Sequence, residues 1–173
     1  MKKVKFALLV LLAAILVLPA CKKGENDPFM SLHSRKARVV GEWTLKSGSI
    51  TYNGSTTVYP QANYTETVEF KGDKTYTRTT VNSGSTSVEK GSWAFSGASK
   101  DVELKNKEAL ILYCTSYTSG SNTTTYTGYY ALSGPTILLI DKLANKEMVI
   151  TYDGNESGGG DSNTLSGTLT YEQ

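Results

Sequence analysis

The sequence predicts an all-β protein: an antiparallel up-and-down β-barrel of 8–10 strands preceded by a short helix. Three observations carry that prediction. From Gly41 onward the apolar period is two, and Thr, Tyr, Val and Ile dominate, as half-buried strands require. The connections are mostly hairpin length, which makes strands adjacent in sequence adjacent in the sheet. The strands hold little proline that could protect an open edge, which favours closure into a barrel over the alternative, a β-sandwich.

The leader comes first. Lys2, Lys3 and Lys5 give a positive start, and Phe6 to Leu18 is an uninterrupted apolar run of thirteen residues. That length suits a signal-peptide core and falls short of the roughly 20 residues a membrane-spanning helix needs. Residues 1–20 therefore read as a signal peptide. The run ends in Leu18-Pro19-Ala20-Cys21, which resembles the lipobox of bacterial lipoproteins. The resemblance implies that Cys21 is acylated, with palmitate-type chains, and becomes the new N-terminus. Residues 21–27 are then a lipidated tether and the membrane is a partner through that anchor. A single acyl chain holds only marginally, at about 0.8 kcal/mol per buried methylene, whereas the several chains of such lipoproteins imply a lasting attachment. Lys22 stands where the family's best-known inner-membrane retention rule has aspartate, so the expected address is the outer membrane, with the periplasmic and surface faces both open. The alternative is an ordinary secreted protein with a chance cysteine.

Without residues 1–20 the chain keeps 153 residues, enough for one domain with a sizeable core. Its charge changes sign. Eighteen Lys and Arg lose the three of the leader, leaving 15 against 16 acidic residues, so the mature chain sits near −1. No nucleic-acid partner is expected, because the only basic cluster, Arg35, Lys36 and Arg38, reads as a solvated helix face. With Cys21 acylated, Cys114 has no disulfide partner, and its place after the apolar run Ala109 to Tyr113 marks a small core residue. Catalysis has no support. His33 is the only histidine, no cysteine cluster could hold zinc, and no phosphate loop is present, so neither an enzyme nor a cofactor is expected.

The domain of residues 28–173 starts with Asp27-Pro28, an N-cap followed by proline at the first helical position, and a helix of two or three turns is expected before the barrel. Strands are expected near 41–52, 64–71, 74–82, 86–95, 101–105, 108–118, 123–133, 136–141, 146–153 and 163–172. Longer loops are expected at 53–62, 119–122 and 154–163. In the first strand Gly41, Trp43 and Leu45 share one face, and in the last Leu165, Gly167, Leu169 and Tyr171 do. Trp43, large and early, is placed to close one end of the barrel.

Gly41-Glu42-Trp43, the related Gly91-Ser92-Trp93-Ala94-Phe95, Tyr129-Tyr130-Ala131-Leu132 and Thr136-Ile137-Leu138-Leu139-Ile140 together resemble the layout of the lipocalin superfamily, whose first strand carries Gly-x-Trp. With the lipobox, residues 27–173 look like the lipocalin-like lipoproteins of Gram-negative bacteria. The superfamily's later Thr-Asp-Tyr turn is absent, as is a C-terminal arginine to pack over Trp43. The resemblance implies a barrel that binds a small hydrophobic or amphipathic molecule.

Register points to candidate binding residues. A three-residue loop at Gly72-Asp73-Lys74 faces Phe70 with Tyr76, Val68 with Arg78 and Glu66 with Thr80, and gathers Tyr64, Glu66, Val68, Phe70, Tyr76 and Arg78 inside. A two-residue loop would send Tyr76 and Arg78 outward. In the inward register Arg78, with Tyr64 and Tyr76, could anchor an anionic lipid-like head group. Alternatively, Glu66 and Arg78 simply pair near a wet barrel mouth. Trp93, Phe95, Tyr113 and Tyr129 are expected to line the interior, as pocket or as core. Two functions follow: a ligand-binding barrel, or a non-enzymatic structural or protein-interaction module of the envelope with a filled core and a protein partner of unknown kind.

Overall fold

The computed structural model describes residues 34–97, 107–126, 135–156 and 163–173. Over these the chain forms a short helix α1 (Arg35–Val39) and ten strands: β1 (Gly41–Tyr52), β2 (Ser55–Tyr59), β3 (Tyr64–Phe70), β4 (Thr75–Asn82), β5 (Ser85–Ser96), β6 (Glu108–Ser119), β7 (Asn122–Thr125), β8 (Thr136–Leu143), β9 (Glu147–Glu156) and β10 (Asn163–Glu172). All belong to one antiparallel sheet. Strands β1, β3, β4, β5, β6, β8, β9 and β10 follow one another around the wall, and β10 pairs back onto β1. The result is the closed eight-stranded barrel, not the sandwich.

Two positions in the wall are each filled by two strands end to end. β2 lies against Gly48–Tyr52 and β3 against Gly41–Thr44, along the same edge of β1. Pro60, which lacks a ladder donor, and Asn63, at φ 63, fall in the break between them. β7 and β8 share one edge of β6 in the same way.

The expected loop at 53–62 is corrected, because it holds β2. Asn53 and Gly54 both have positive φ, 48 and 81, the backbone of a two-residue type I′ hairpin turn that Asn-Gly favours. Ser83 and Gly84, at φ 50 and 82, repeat the device between β4 and β5. The β3–β4 loop has the three residues expected. Lys71 and Thr75 are bonded across it at 2.9 Å, Lys74 sits at φ 74, and Phe70, Val68 and Glu66 face Tyr76, Arg78 and Thr80. The expected strand 101–105, residues 127–133 of the expected strand 123–133, the helix start at Asp27-Pro28 and the leader with Cys21 lie outside the described residues. The described helix is capped by Ser34, whose hydroxyl accepts the Ala37 N–H at 3.2 Å.

The seam that closes the barrel depends on glycine. Gly48 and Gly167 stand at φ 143 and 146 on β1 and β10. A Cβ there would lie 2.2 Å from the Thr168 carbonyl oxygen and 2.1 Å from that of Ser49. Only a residue without a side chain lets the two backbones approach so closely.

Alternation sends the large apolar side chains into the half of the lumen nearest α1, where Trp43, Phe70, Trp93, Leu110 and Leu143 are among the buried residues. Every buried member of this core lies between Val39 and Tyr171, so the barrel carries its own core. Helix α1 stoppers that end. Val39 is buried, its carbonyl accepts the Trp43 indole N–H at 2.8 Å, and the Arg38 guanidinium donates to the Leu143 carbonyl. Trp43 is thus held against α1 at this end of the barrel. Arg35 forms an ion pair with Glu108 beneath the core. Burial there outweighs the attraction: it draws Arg35 below the usual arginine range and pushes Glu108 above the usual carboxylate range.

Candidate functional site

The other half of the lumen is polar. On β3 and β4 the register turns Tyr64, Glu66, Tyr76 and Arg78 inward, and β5 adds Glu89 directly opposite Arg78. β10 adds Tyr171, carried across β1 by closure of the barrel. These groups form one connected layer. Glu66 accepts hydrogen bonds from the Tyr64 hydroxyl at 2.9 Å and the Tyr171 hydroxyl at 2.7 Å. Glu89 accepts from the Tyr76 hydroxyl and from the Arg78 guanidinium.

The position of the layer along the barrel follows from its tyrosines. The Tyr76 and Tyr171 side chains are buried in the apolar core, yet their hydroxyls reach the two carboxylates. The carboxylates therefore rest on top of the filled half. Above them Tyr59 and Tyr64 meet edge to face at 5.1 Å, and Ile50 and Tyr152 are half-buried against the core. Tyr52 and Tyr117, on the same face of their strands, are exposed at the rim.

The electrostatics of the layer agree with its geometry. Burial alone would lower the pKa of Arg78, but the Glu89 carboxylate, and beyond it Glu66, more than offset that and hold the guanidinium above its ordinary range. Burial, reinforced by a neighbouring carboxylate, pushes the Tyr64, Tyr76 and Tyr171 hydroxyls above the usual phenol range. Burial and Glu89 likewise push up the Cys114 thiol, which is half-buried beside the layer instead of deep in the core. Arg78 is fixed as a cation, and the tyrosines are fixed as neutral donors.

The sequence-predicted residues separate into three groups. Tyr64, Glu66, Tyr76 and Arg78 come together as expected. The expected Glu66–Arg78 pair does not form, however. Arg78 pairs with Glu89, its direct cross-strand neighbour, while Glu66 is one diagonal away and takes two tyrosines instead. Trp93 is inside but belongs to the filled half. Its indole N–H donates to the Lys71 carbonyl at 3.1 Å, its ring meets Phe70 edge to face at 5.6 Å, and the Lys74 ammonium lies 3.7 Å from its centroid. The interior placement of Tyr113 is corrected. It pairs with Ser92, one residue out of phase with the inward Leu112 and Cys114, and so lies on the outer face of β6. Tyr129 lies outside the described residues, as does Cys21.

Neither Glu89 nor Tyr171 is singled out as a site residue by the sequence. The first can be found by counting back from the Ser83-Gly84 turn, since Asn82 facing Ser85 puts Arg78 against Glu89. No local signal exists for the second.

Among the described residues no group of three or more His, Cys, Asp and Glu side chains is placed to hold a metal ion, and no helix is long and apolar enough to cross a membrane. Comparison of the chain with protein-family models, with curated proteins and with solved structures finds no match.

Proposed function

We propose that this chain is a lipoprotein of the outer membrane, anchored through Cys21, whose lipocalin-like barrel binds a small amphipathic molecule in its polar half. One observation carries the binding part of this reading. The barrel interior is divided between a filled apolar end and a half-buried layer of Glu66, Arg78, Glu89 and tyrosine hydroxyls lying below an aromatic rim. A layer built only to hold the wall together would not need a guanidinium with a quarter of its side chain exposed beneath exposed tyrosines. Concave sites with mostly apolar walls and a few convergent polar groups are where proteins take small ligands. The anchoring part is supported by the positive start, the thirteen-residue apolar run and Leu18-Pro19-Ala20-Cys21 at its end.

The test uses residues 27–173, which contain every core residue among the described ones, purified from a Gram-negative host and subjected to native mass spectrometry followed by organic extraction. A stoichiometric bound small molecule supports the binding reading and names its class. A bare mass, with no displacement of any amphipathic dye from a broad panel, would shift the assignment to a protein-interaction module. That second reading is favoured by the exposed Tyr52 and Val58 on the β1–β2 hairpin. Radiolabelled palmitate should be incorporated by the full chain and not by Cys21→Ser.

A further inference from the structure

Resting on the reading of the polar half as a binding site, we infer that the head group it selects is an organic cation, an amine or quaternary ammonium, on a small amphipathic molecule that enters head first. The charge balance of the layer is the starting point. On β3, β4 and β5 the residues facing the open half carry two carboxylates, Glu66 and Glu89, against one guanidinium, Arg78. The guanidinium is already committed to Glu89. An anionic head would have to displace Glu89, and would leave that carboxylate near Glu66 with a third negative group between them. Like charges so placed oppose one another strongly where water is scarce.

Glu66 is in the opposite situation. Both of its hydrogen-bond donors, Tyr64 and Tyr171, are neutral, and it has no ion-pair partner among the described residues. A carboxylate offers about four acceptor positions, so two donors leave roughly half of them open, and Arg78, already paired with Glu89, answers its charge only from a distance. A cation seated against Glu66 would complete the layer without breaking any bond in it. The surroundings favour the same sign. Tyr59, Tyr64 and Tyr152 stand above the layer, with Tyr52 and Tyr117 at the rim, and the faces of aromatic rings attract cations and repel anions. Entry is head first because the charged groups lie on the buried rings of Tyr76 and Tyr171, with Ile50 and the tyrosines left for the tail.

The experiment is a calorimetric titration of the full chain in lipid nanodiscs, blanked against empty nanodiscs, with octyltrimethylammonium, octanoate and octanol. The three share one tail and differ in the charge of the head. Octyltrimethylammonium should bind about tenfold or more tighter than octanoate, and Glu66→Gln should remove about that advantage. Glu89→Gln, which frees Arg78, should raise octanoate affinity several-fold, and the wild-type series stands by itself should either variant fail to fold. Octanoate binding as tightly as the cation, or tighter, would overturn the inference and leave the binding reading standing. Heats no larger than the blank for all three would overturn both.

Discussion

On β1 two aromatic residues face the lumen nine positions apart, and they live in different environments. Trp43, next to α1, is 0% exposed and gives its indole N–H to Val39, whereas Tyr52, at the other end, is 50% exposed. The same difference runs around the whole wall. At the α1 end the strands turn Phe70, Trp93, Leu110 and Leu143 into a filled core, and at the far end they turn out tyrosine, serine and threonine around Glu66, Arg78 and Glu89. One sheet therefore supplies stability at one end and an adaptable polar surface at the other. The largest expected effect tests that division directly. Trp43→Ala should cost about 3–5 kcal/mol of unfolding free energy in urea, for the cavity and the lost tie to α1. Tyr52→Ala should stay within about 0.5 kcal/mol. Equal costs would mean that the open half is as much core as the closed one.

The closed end has a polar feature of its own, and its guanidinium is shifted the opposite way from that of the polar layer. Burial pulls Arg35 down and pushes Glu108 up even though the two are paired, so the pair costs more in desolvation than it returns. Replacing both with apolar residues, Arg35→Met with Glu108→Leu, should leave the barrel equally stable or up to about 2 kcal/mol more stable. The pH dependence is the cross-check. A carboxyl raised in the folded state contributes stability below its unfolded value and loses it as pH rises through the folded one. In wild type this contribution should fade from acid towards neutral pH, and in the double variant that slope should vanish. A large loss of stability in the double variant would instead make the pair a strut.

How much of the fold and the site is legible in the sequence depends on how far apart the interacting residues are in the chain. The β3–β4 register is legible because a three-residue turn and an alternating strand fix each other, and together they put Arg78 and Glu66 in the lumen. Strand β2 is hidden behind a Thr- and Ser-rich composition, although Asn53-Gly54 is the strongest short hairpin signal in that segment. Alternation misplaces Tyr113 because β6 is apolar on both faces. Its outward Ala109 is buried together with Leu139, so there is no contrast there to read. Tyr171 reaches Glu66, 105 residues away, only because β10 closes on β1 through Gly48 and Gly167. No local pattern encodes that contact.

A finer probe of the polar layer is its behaviour in alkali. Tyr64, Tyr76 and Tyr171 are all raised by burial first and by their carboxylate neighbours next. Groups raised in this way stabilise the fold below the unfolded phenol value, near 10, and that contribution is lost as pH climbs towards their folded values. Melting temperature should therefore begin to fall near pH 10, while difference absorbance shows these three phenols ionising after the exposed ones. Tyr171→Phe removes one donor to Glu66 and should cost about 1–2 kcal/mol at neutral pH and flatten the alkaline fall. Tyr117→Phe, at the rim, should do neither. A flat profile in wild type would mean that the tyrosines are not held by the carboxylates.

The smallest effect belongs to the loop that sets the register. Asp73 lies outside the barrel beneath the closed end, where its carboxylate accepts the Thr75 hydroxyl at 2.7 Å and the Thr75 N–H at 2.9 Å. Those bonds, the side-chain one foremost, hold its carboxyl below the usual value. The sign is opposite to that of Glu108. The contribution is present above the unfolded carboxylate range and disappears as pH falls through the depressed one. Asp73→Ala should thus lower the melting temperature slightly at neutral pH and not at all in strong acid, and heteronuclear NMR should still show Phe70 facing Tyr76, because three residues remain in the loop. Deleting Asp73 keeps the strands and leaves two. If the loop length dictates which face of β4 is inside, that chain should expose Arg78 and lose the polar layer. If Arg78 stays inside, the core alone sets the register and the turn merely follows it.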